Sequence, residues 1–377
     1  MRYNVDTVII GAGPAGTSCG IMLCRSGRSS LIVEKRTLPR DKTCGGMLTA
    51  KTCEILTKDL AFSDDELSGI LCGSSDVIDL YYDAEVLTHS RVENEFRFIK
   101  RVDFDAHLAE KYRSLGGTLL EGRKATSFDL PGGTLTLDNG DSVGFRHLVA
   151  SDGALSPTRR ALGMKDPELA LCVETHIPRS KMDFDGAVRI YFGIIQKGYA
   201  WVFPSGDAIC IGIGGVEEGG VSNVELFKKF LSSLGVDPNE CDLKGAFIPY
   251  GNPVAQARSP KNVLLAGDAG GFVDPVNGEG IYFALATGVA AARAVTDGGT
   301  DTKRKYLELT EPYAKMIRHG RRMQHVFYRP SILTYFRKKM RGRNGFAAYF
   351  CDHHVSHYEG PIPKLIRDYK AKKNAAR

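Results

Sequence analysis

The sequence predicts an α/β fold: a three-layer nucleotide-binding domain assembled from discontinuous segments, an antiparallel-sheet domain, and a basic, mostly helical C-terminal region. Three segments predict it. Val-Ile-Ile-Gly11-Ala-Gly13-Pro-Ala15-Gly16 stands near the start, with Glu34 closing Leu-Ile-Val-Glu. His-Leu-Val-Ala-Ser-Asp152-Gly153 stands mid-chain, and Asn-Val-Leu-Leu-Ala-Gly267-Asp268 comes later. A lone glycine fingerprint would say only that a dinucleotide binds. The three in this order imply that one chain wraps around FAD.

Residues 5–10 read as a buried strand, and a helix is expected from about Pro14 to Ser26, stopped by Gly27. Ser30–Glu34 reads as the second strand of a βαβ unit. Gly11 allows the tight turn, Gly13 lets the backbone approach a pyrophosphate, and Gly16 lets the helix pack on the strand. The helix N-terminus offers N–H groups and partial positive charge to phosphates. Glu34, 18 residues after Gly16, is placed to accept hydrogen bonds from a ribose. An acid there disfavours a 2′-phosphate, which argues for FAD or NAD over NADP.

Residues 76–99 look like strands. Phe104–Leu115 reads as a helix that Gly116-Gly117 stops. Asp138-Asn139-Gly140, between Thr134–Leu137 and Ser142–Val143, signals a hairpin. Ala187–Gly193, Tyr199–Phe203 and Ile209–Gly214 carry strand patterns. Residues 262–266 form an apolar strand entering Gly267-Asp268, whose carboxylate can accept from a ribityl hydroxyl. Gly278-Glu-Gly280-Ile281 then opens a small-residue helix reaching Val295, and its first N–H groups can stabilise charge on a reduced flavin. This segment separates FAD from NAD. The expected division is 1–75, 100–167 and 258–300 for FAD; 76–99 and 168–257 for a substrate sheet; and 301–377 for the C-terminal region, irregular around 342–363.

The 377 residues suffice for a large core, and 43% hydrophobic content is ordinary for a globular chain. No apolar run reaches the ~18 residues of a spanning helix, and no signal peptide is expected before the first strand. Nine cysteines without paired spacing suggest reduced thiols and a cytoplasmic protein. The net charge of +6 conceals an asymmetry: Lys303 to Arg377 holds 19 Lys/Arg against 5 Asp/Glu, whereas the rest holds 31 against 39. A basic region interleaved with Tyr328, Tyr335 and Phe336 can sit at an anionic membrane surface or dock an acidic electron donor. No nucleic-acid module accompanies the charge.

Tyr199, Trp201 and Phe203 share one face of a strand by period two, ahead of Pro204. An aromatic face suits a flat or isoprenoid substrate. Cys351-Asp352-His353-His354 with His357 does not match a recognised zinc spacing, so no metal is expected.

With these segments the chain resembles the glutathione-reductase-type flavoproteins of the p-hydroxybenzoate-hydroxylase class, and within it the geranylgeranyl reductase family. Lys42-Thr-Cys44-Gly45-Gly46-Met47 is similar to the family's cysteine-glycine turn beside the flavin. Gly198-Tyr199-Ala-Trp201-Val-Phe203-Pro204 is similar to its Tyr-x-Trp-x-Phe-Pro stretch lining the substrate cavity. Arg101-Val-Asp-Phe104-Asp105 and Leu108 match its Arg-x-x-Phe-Asp-x-x-Leu. The resemblance covers roughly residues 1–300. It implies FAD contacts from Ala15, Glu34, Cys44, Gly46, Arg101, Asp268, Gly280 and Ile281, and from Ala125 near the adenine end. It makes Cys44 a candidate catalytic residue. Glu279 departs from the family's small residues before Ile281.

The reaction expected is hydride transfer from reduced FAD to carbon–carbon double bonds of a prenyl chain, prenylated lipid or quinone tail. The alternative is a monooxygenase or halogenase acting on an aromatic or polyketide-like substrate. Gly212-Ile-Gly214-Gly215 is no second fingerprint, so the electron donor is either transiently bound NAD(P)H or a ferredoxin-type protein.

Overall fold

The computed structural model describes residues 1–377 except 218, 255, 257, 258, 298, 300, 358–361, 376 and 377. Two sheets organise the chain. In the first, the strands Thr118–Leu120, Ser30–Val33, Arg2–Ile10, Ser142–Ala150 and Val263–Leu265 run parallel in that spatial order. Near-continuous apolar runs suit strands buried on both faces. Ile9, Ile32, Val149 and Leu264 face the helices Pro14–Arg25, Arg101–Ser114 and Ile281–Asp297. The alternate residues Val8, Leu31, Val33 and Leu148 share a second core with Leu135 and Leu137. Those two belong to an antiparallel meander, Ala125–Asp129, Thr134–Leu137 and the start of Ser142–Ala150, which includes the expected hairpin. Three layers result.

The small-residue helix Ile281–Asp297 lies against Pro14–Arg25. At Gly288 any Cβ would come 2.2 Å from Ala15 O, so the two backbones approach as no other residue would allow.

The second sheet has eight strands, ordered Lys244–Pro249, Leu169–Pro178, Ala208–Val216, Lys197–Ser205, Val188–Phe192, Leu71–Tyr82, Glu85–Ile99 and Met47–Leu48. All neighbours are antiparallel except Val188–Phe192 with Leu71–Tyr82. Two pieces assigned above to the nucleotide domain, 47–48 and 71–75, are therefore strands of this sheet. Its far face carries Ala200, Val202 and Ile211 against Phe227, Phe230 and Leu231 of the helix Asn223–Ser233. The near face is aromatic. The expected boundary at 257/258 lies outside the described residues.

The C-terminal region is folded onto both sheets. In the helix Thr302–Phe327, Tyr306 donates to Leu265 O at 2.9 Å. Phe327 and Phe336 pack edge-on to Phe192, with ring centres 5.5 and 5.6 Å away. The stretch expected to be irregular instead forms the helices Asn344–Phe350 and Cys351–Val355; residues 358–361 of it lie outside the described set. Contact with the strand Glu85–Ile99 orders it. Leu87 O accepts from Gly342 N–H at 2.9 Å, and Asn344 Oδ1 accepts from His89 N–H at 3.2 Å. The Asp352 carboxylate accepts from the N–H groups of Glu93 and Asn94 at 3.0 and 2.9 Å. Cys351 is buried in the aromatic core. No helix among the described residues is long and apolar enough to cross a membrane.

Candidate active site

The nucleotide end is built from backbone. Gly11 has φ +100°, and a Cβ there would lie 2.5 Å from Ser151 O. A Cβ on Gly16 would meet Gly11 O at 1.9 Å. No side chain caps the helix that follows Gly13, so its first N–H groups are left for an anion. Ala15 is buried where this helix meets Gly267, whose N–H donates to Thr287 Oγ1 at 2.9 Å.

Glu34 is 4% exposed. Its Oε2 accepts from Ala12 N–H at 2.8 Å and its Oε1 from Arg36 N–H at 3.0 Å, which holds the glycine loop against the second strand. Arg40 lies 3.6 Å from Glu34 and 3.1 Å from Asp105. Arg101 clasps Asp105 through two bonds of 2.7 and 2.8 Å. Two guanidiniums thus converge on Asp105, and Arg40 also reaches the loop at Gly13. Arg40 was missed in the sequence, where a lone arginine after a strand carries no signal of its own.

The flavin end joins remote turns. Burial pushes the Asp268 carboxyl up, while Lys42 and Arg101 pull it down. A Cβ on Gly280 would lie 3.7 Å from Asp268 Oδ1, and Ile281 is buried at the start of its helix. Gly46 has φ +73° and faces Ile99 O, which a Cβ would approach to 2.1 Å. The Cys44 N–H donates to Glu174 Oε1 at 2.7 Å, and Cys44 Sγ accepts from Gly46 N–H at 3.4 Å. A Cβ on Gly45 would come 3.0 Å from the Phe203 ring and 3.2 Å from Trp201 Nε1. The Tyr199 hydroxyl donates to Asn277 O, one residue before the Gly278-Glu279-Gly280 turn.

Two expected residues, Ala125 and Pro204, stand apart from this assembly, whereas Asp152 lies beside the Gly11 turn. Ala125 has its side chain in the meander core, tied to the site only through Arg123 N–H, which donates to Glu34 O at 3.0 Å. Asp152 Oδ2 is engaged by Thr158 N–H at 3.0 Å and Thr158 Oγ1 at 2.7 Å, while its Oδ1 is buried without a partner among the described residues. Pro204, in regular register, points to the face opposite the three aromatics, because successive residues of a strand alternate. Glu279 also turns aside: Thr49 Oγ1 donates to its Oε1 at 2.8 Å, and Lys51 Nζ pairs with its Oε2 at 2.7 Å.

The glycine cradle, the uncapped helix and the orphaned Asp152 oxygen fit FAD. The helix N-terminus would take the diphosphate, Glu34 a ribose, Asp268 the ribityl chain, and the Gly278–Gly280 turn the ring. Bound FAD supplies hydride chemistry. The chain's own residues would hold it, with Trp201 and Phe203 packed on the Cys44-Gly45-Gly46 turn and Glu174 fixing the Cys44 N–H.

A family model described as an FAD binding domain matches residues 4–59. An uncharacterized protein of Methanosarcina barkeri is 30% identical over 77% of this chain and 74% of its own length. A menaquinone reductase of Mycolicibacterium smegmatis is 28% identical over 88% and 87%, respectively. A chloroplastic geranylgeranyl diphosphate reductase of Arabidopsis thaliana is 26% identical over 86% and 75%. Among solved structures, a geranylgeranyl bacteriochlorophyll reductase-like protein of Thermoplasma acidophilum superposes with TM-score 0.81 at 17% identity, covering 98% of this chain and 100% of its own. A halogenase in complex with FAD gives TM-score 0.70 at 17% identity, over 86% and 76%. Both structural likenesses speak for the fold alone.

Cradle, family model and relatives together define an FAD-dependent oxidoreductase. Among such enzymes, the chain belongs to the geranylgeranyl reductase family.

Proposed function

We propose that this enzyme reduces carbon–carbon double bonds in the prenyl chain of a lipid or quinone. One observation carries the reading: the Cys44-Gly45-Gly46 turn lies directly on the aromatic face of Trp201 and Phe203. That face ends at Tyr199, bonded to the loop that leads into the flavin turn. A flat aromatic face of this kind suits an extended isoprenoid better than a charged substrate. The names of the menaquinone and geranylgeranyl reductase relatives support the same chemistry.

The test is anaerobic. The flavin is reduced with dithionite, and prenyl lipids, prenylquinones and aromatic acids are offered in turn. A gain of two hydrogens per double bond is expected. A gain of one oxygen once air is admitted, without that hydrogen gain, would establish the monooxygenase alternative.

For the donor, the basic region supports an acidic protein of ferredoxin type over NAD(P)H. High salt should then suppress donor-driven turnover and spare dithionite-driven turnover. Salt-insensitive kinetics with both would refute it. Tyr335, 59% exposed and under the Lys339 ammonium, supports a peripheral contact with anionic lipid.

A further inference from the structure

Glu174 sits mid-strand on the aromatic face of the second sheet. It pairs in register with Gly212, which in turn pairs with Trp201. A Cβ on Gly212 would come 2.2 Å from the Trp201 ring, so the indole lies across this glycine towards the strand that carries Glu174. Glu174 is 2% exposed. Its Oε1 receives the Cys44 N–H, and its Oε2 is buried with no partner among the described residues. A buried carboxyl oxygen with no partner is costly unless it carries a proton or meets a ligand.

We propose that Glu174 is the acid of the site, delivering through this second oxygen the proton that completes reduction of a double bond. The inference rests on the reading that the substrate is an alkene. The step balances simply. Hydride from reduced FAD bonds to one alkene carbon, the Glu174 O–H bond breaks, and its proton bonds to the other carbon. The flavin is left oxidised, Glu174 is left as a carboxylate, and solvent restores its proton.

The surroundings favour this residue over its neighbours. Burial pushes the Glu174 carboxyl up to about 7, against the Cys44 N–H, Lys42 and Arg101, which favour its charged form; Asp41 adds to the rise. Cys172 and Cys210 lie beside it on the neighbouring strand positions. An acid balanced near neutrality is best suited to proton transfer. Three neighbouring proton carriers are committed. Tyr199 donates to Asn277 O, both Glu279 oxygens are occupied, and burial pushes the Cys172 thiol up to about 12.

The test compares FAD-loaded wild type with Glu174→Gln and Glu174→Asp, each checked for its flavin spectrum. The first readout needs no substrate: the infrared band of a protonated carboxyl, followed against pH. A band that disappears as pH rises through about 7 is expected in the wild type and absent in the Gln variant. The second is single-turnover reduction of a prenyl substrate. The wild-type rate should fall as pH rises through about 7, because the proton must be present. Glu174→Gln should lose about a hundredfold and lose that pH limb, with Glu174→Asp recovering part of both. A Gln variant within about threefold of wild type and with the same pH limb overturns the assignment, as does a wild type lacking the band. If the wild type reduces no double bond at all, the reading beneath the proposal fails with it. Failure of Glu174 alone leaves wild-type reduction intact.

Discussion

The two ends of the site are built on opposite terms. At the nucleotide end the working groups are backbone amides, and the side chains are mostly hydrogen atoms: Gly11, Gly13, Gly16. At the reaction end the working groups are side chains carried by another sheet: Tyr199, Trp201, Phe203 and Glu174. At Gly11 and Gly16 the first end tolerates no added atoms. The second depends on which chemical group stands where. A scaffold built this way can keep its cofactor while its substrate changes, which is how one fold hosts reductases and halogenases.

Gly11→Ala should break the nucleotide end outright. The new methyl would sit 2.5 Å from Ser151 O at a φ of +100°, so both sterics and conformation oppose it. The purified variant is expected to be colourless, and a yellow one would show that the two ends are less different than described. Breaking the Lys51–Glu279 pair comes next. Its side chains are 10 and 11% exposed, and Glu279→Gln leaves a buried ammonium without its counter-charge. A loss of about 4 kcal/mol is expected in denaturant unfolding, with the flavin still bound in the folded protein. A Lys51→Met/Glu279→Gln double variant should regain most of it; a double variant no more stable than the single would break the argument. Gly212→Ala gives the smallest effect and sharpens the contrast. It pushes the indole off its seat, costing about 2 kcal/mol by overpacking. Prenyl reduction should slow while the flavin spectrum is retained; simultaneous loss of flavin would mean that the ends are coupled.

The legibility of the chain follows the same division. The strand before Gly11, the helix after it, Glu34 and the Gly267-Asp268 turn were readable because each is fixed by neighbours within a few residues. Glu174 was not readable: a single acid in Leu-Cys-Val-Glu-Thr-His-Ile means nothing until the register sets it beside Cys44, 130 positions away. The strands 47–48 and 71–75 were missed for the same reason, since pairing partners are not encoded locally. Pro204 was misplaced by treating a motif as one surface, although a pleat divides it. The helices after Asn344 were obscured by Gly342 and Gly345, whose local preference is overridden by docking onto Glu85–Ile99.

That docking also settles the fate of the sheet's outer margin. Met47–Leu48 pairs only with Arg97 and Phe98, leaving the earlier part of Glu85–Ile99 as a row of amides and carbonyls that would otherwise recruit a strand from another molecule. Gly342, Asn344 and Asp352 occupy that row at Leu87, His89, Glu93 and Asn94. The C-terminal region thus covers this margin, and a protein shortened before residue 342 is expected to pair with copies of itself, read as a larger species in size-exclusion chromatography, while its yellow cofactor remains in place.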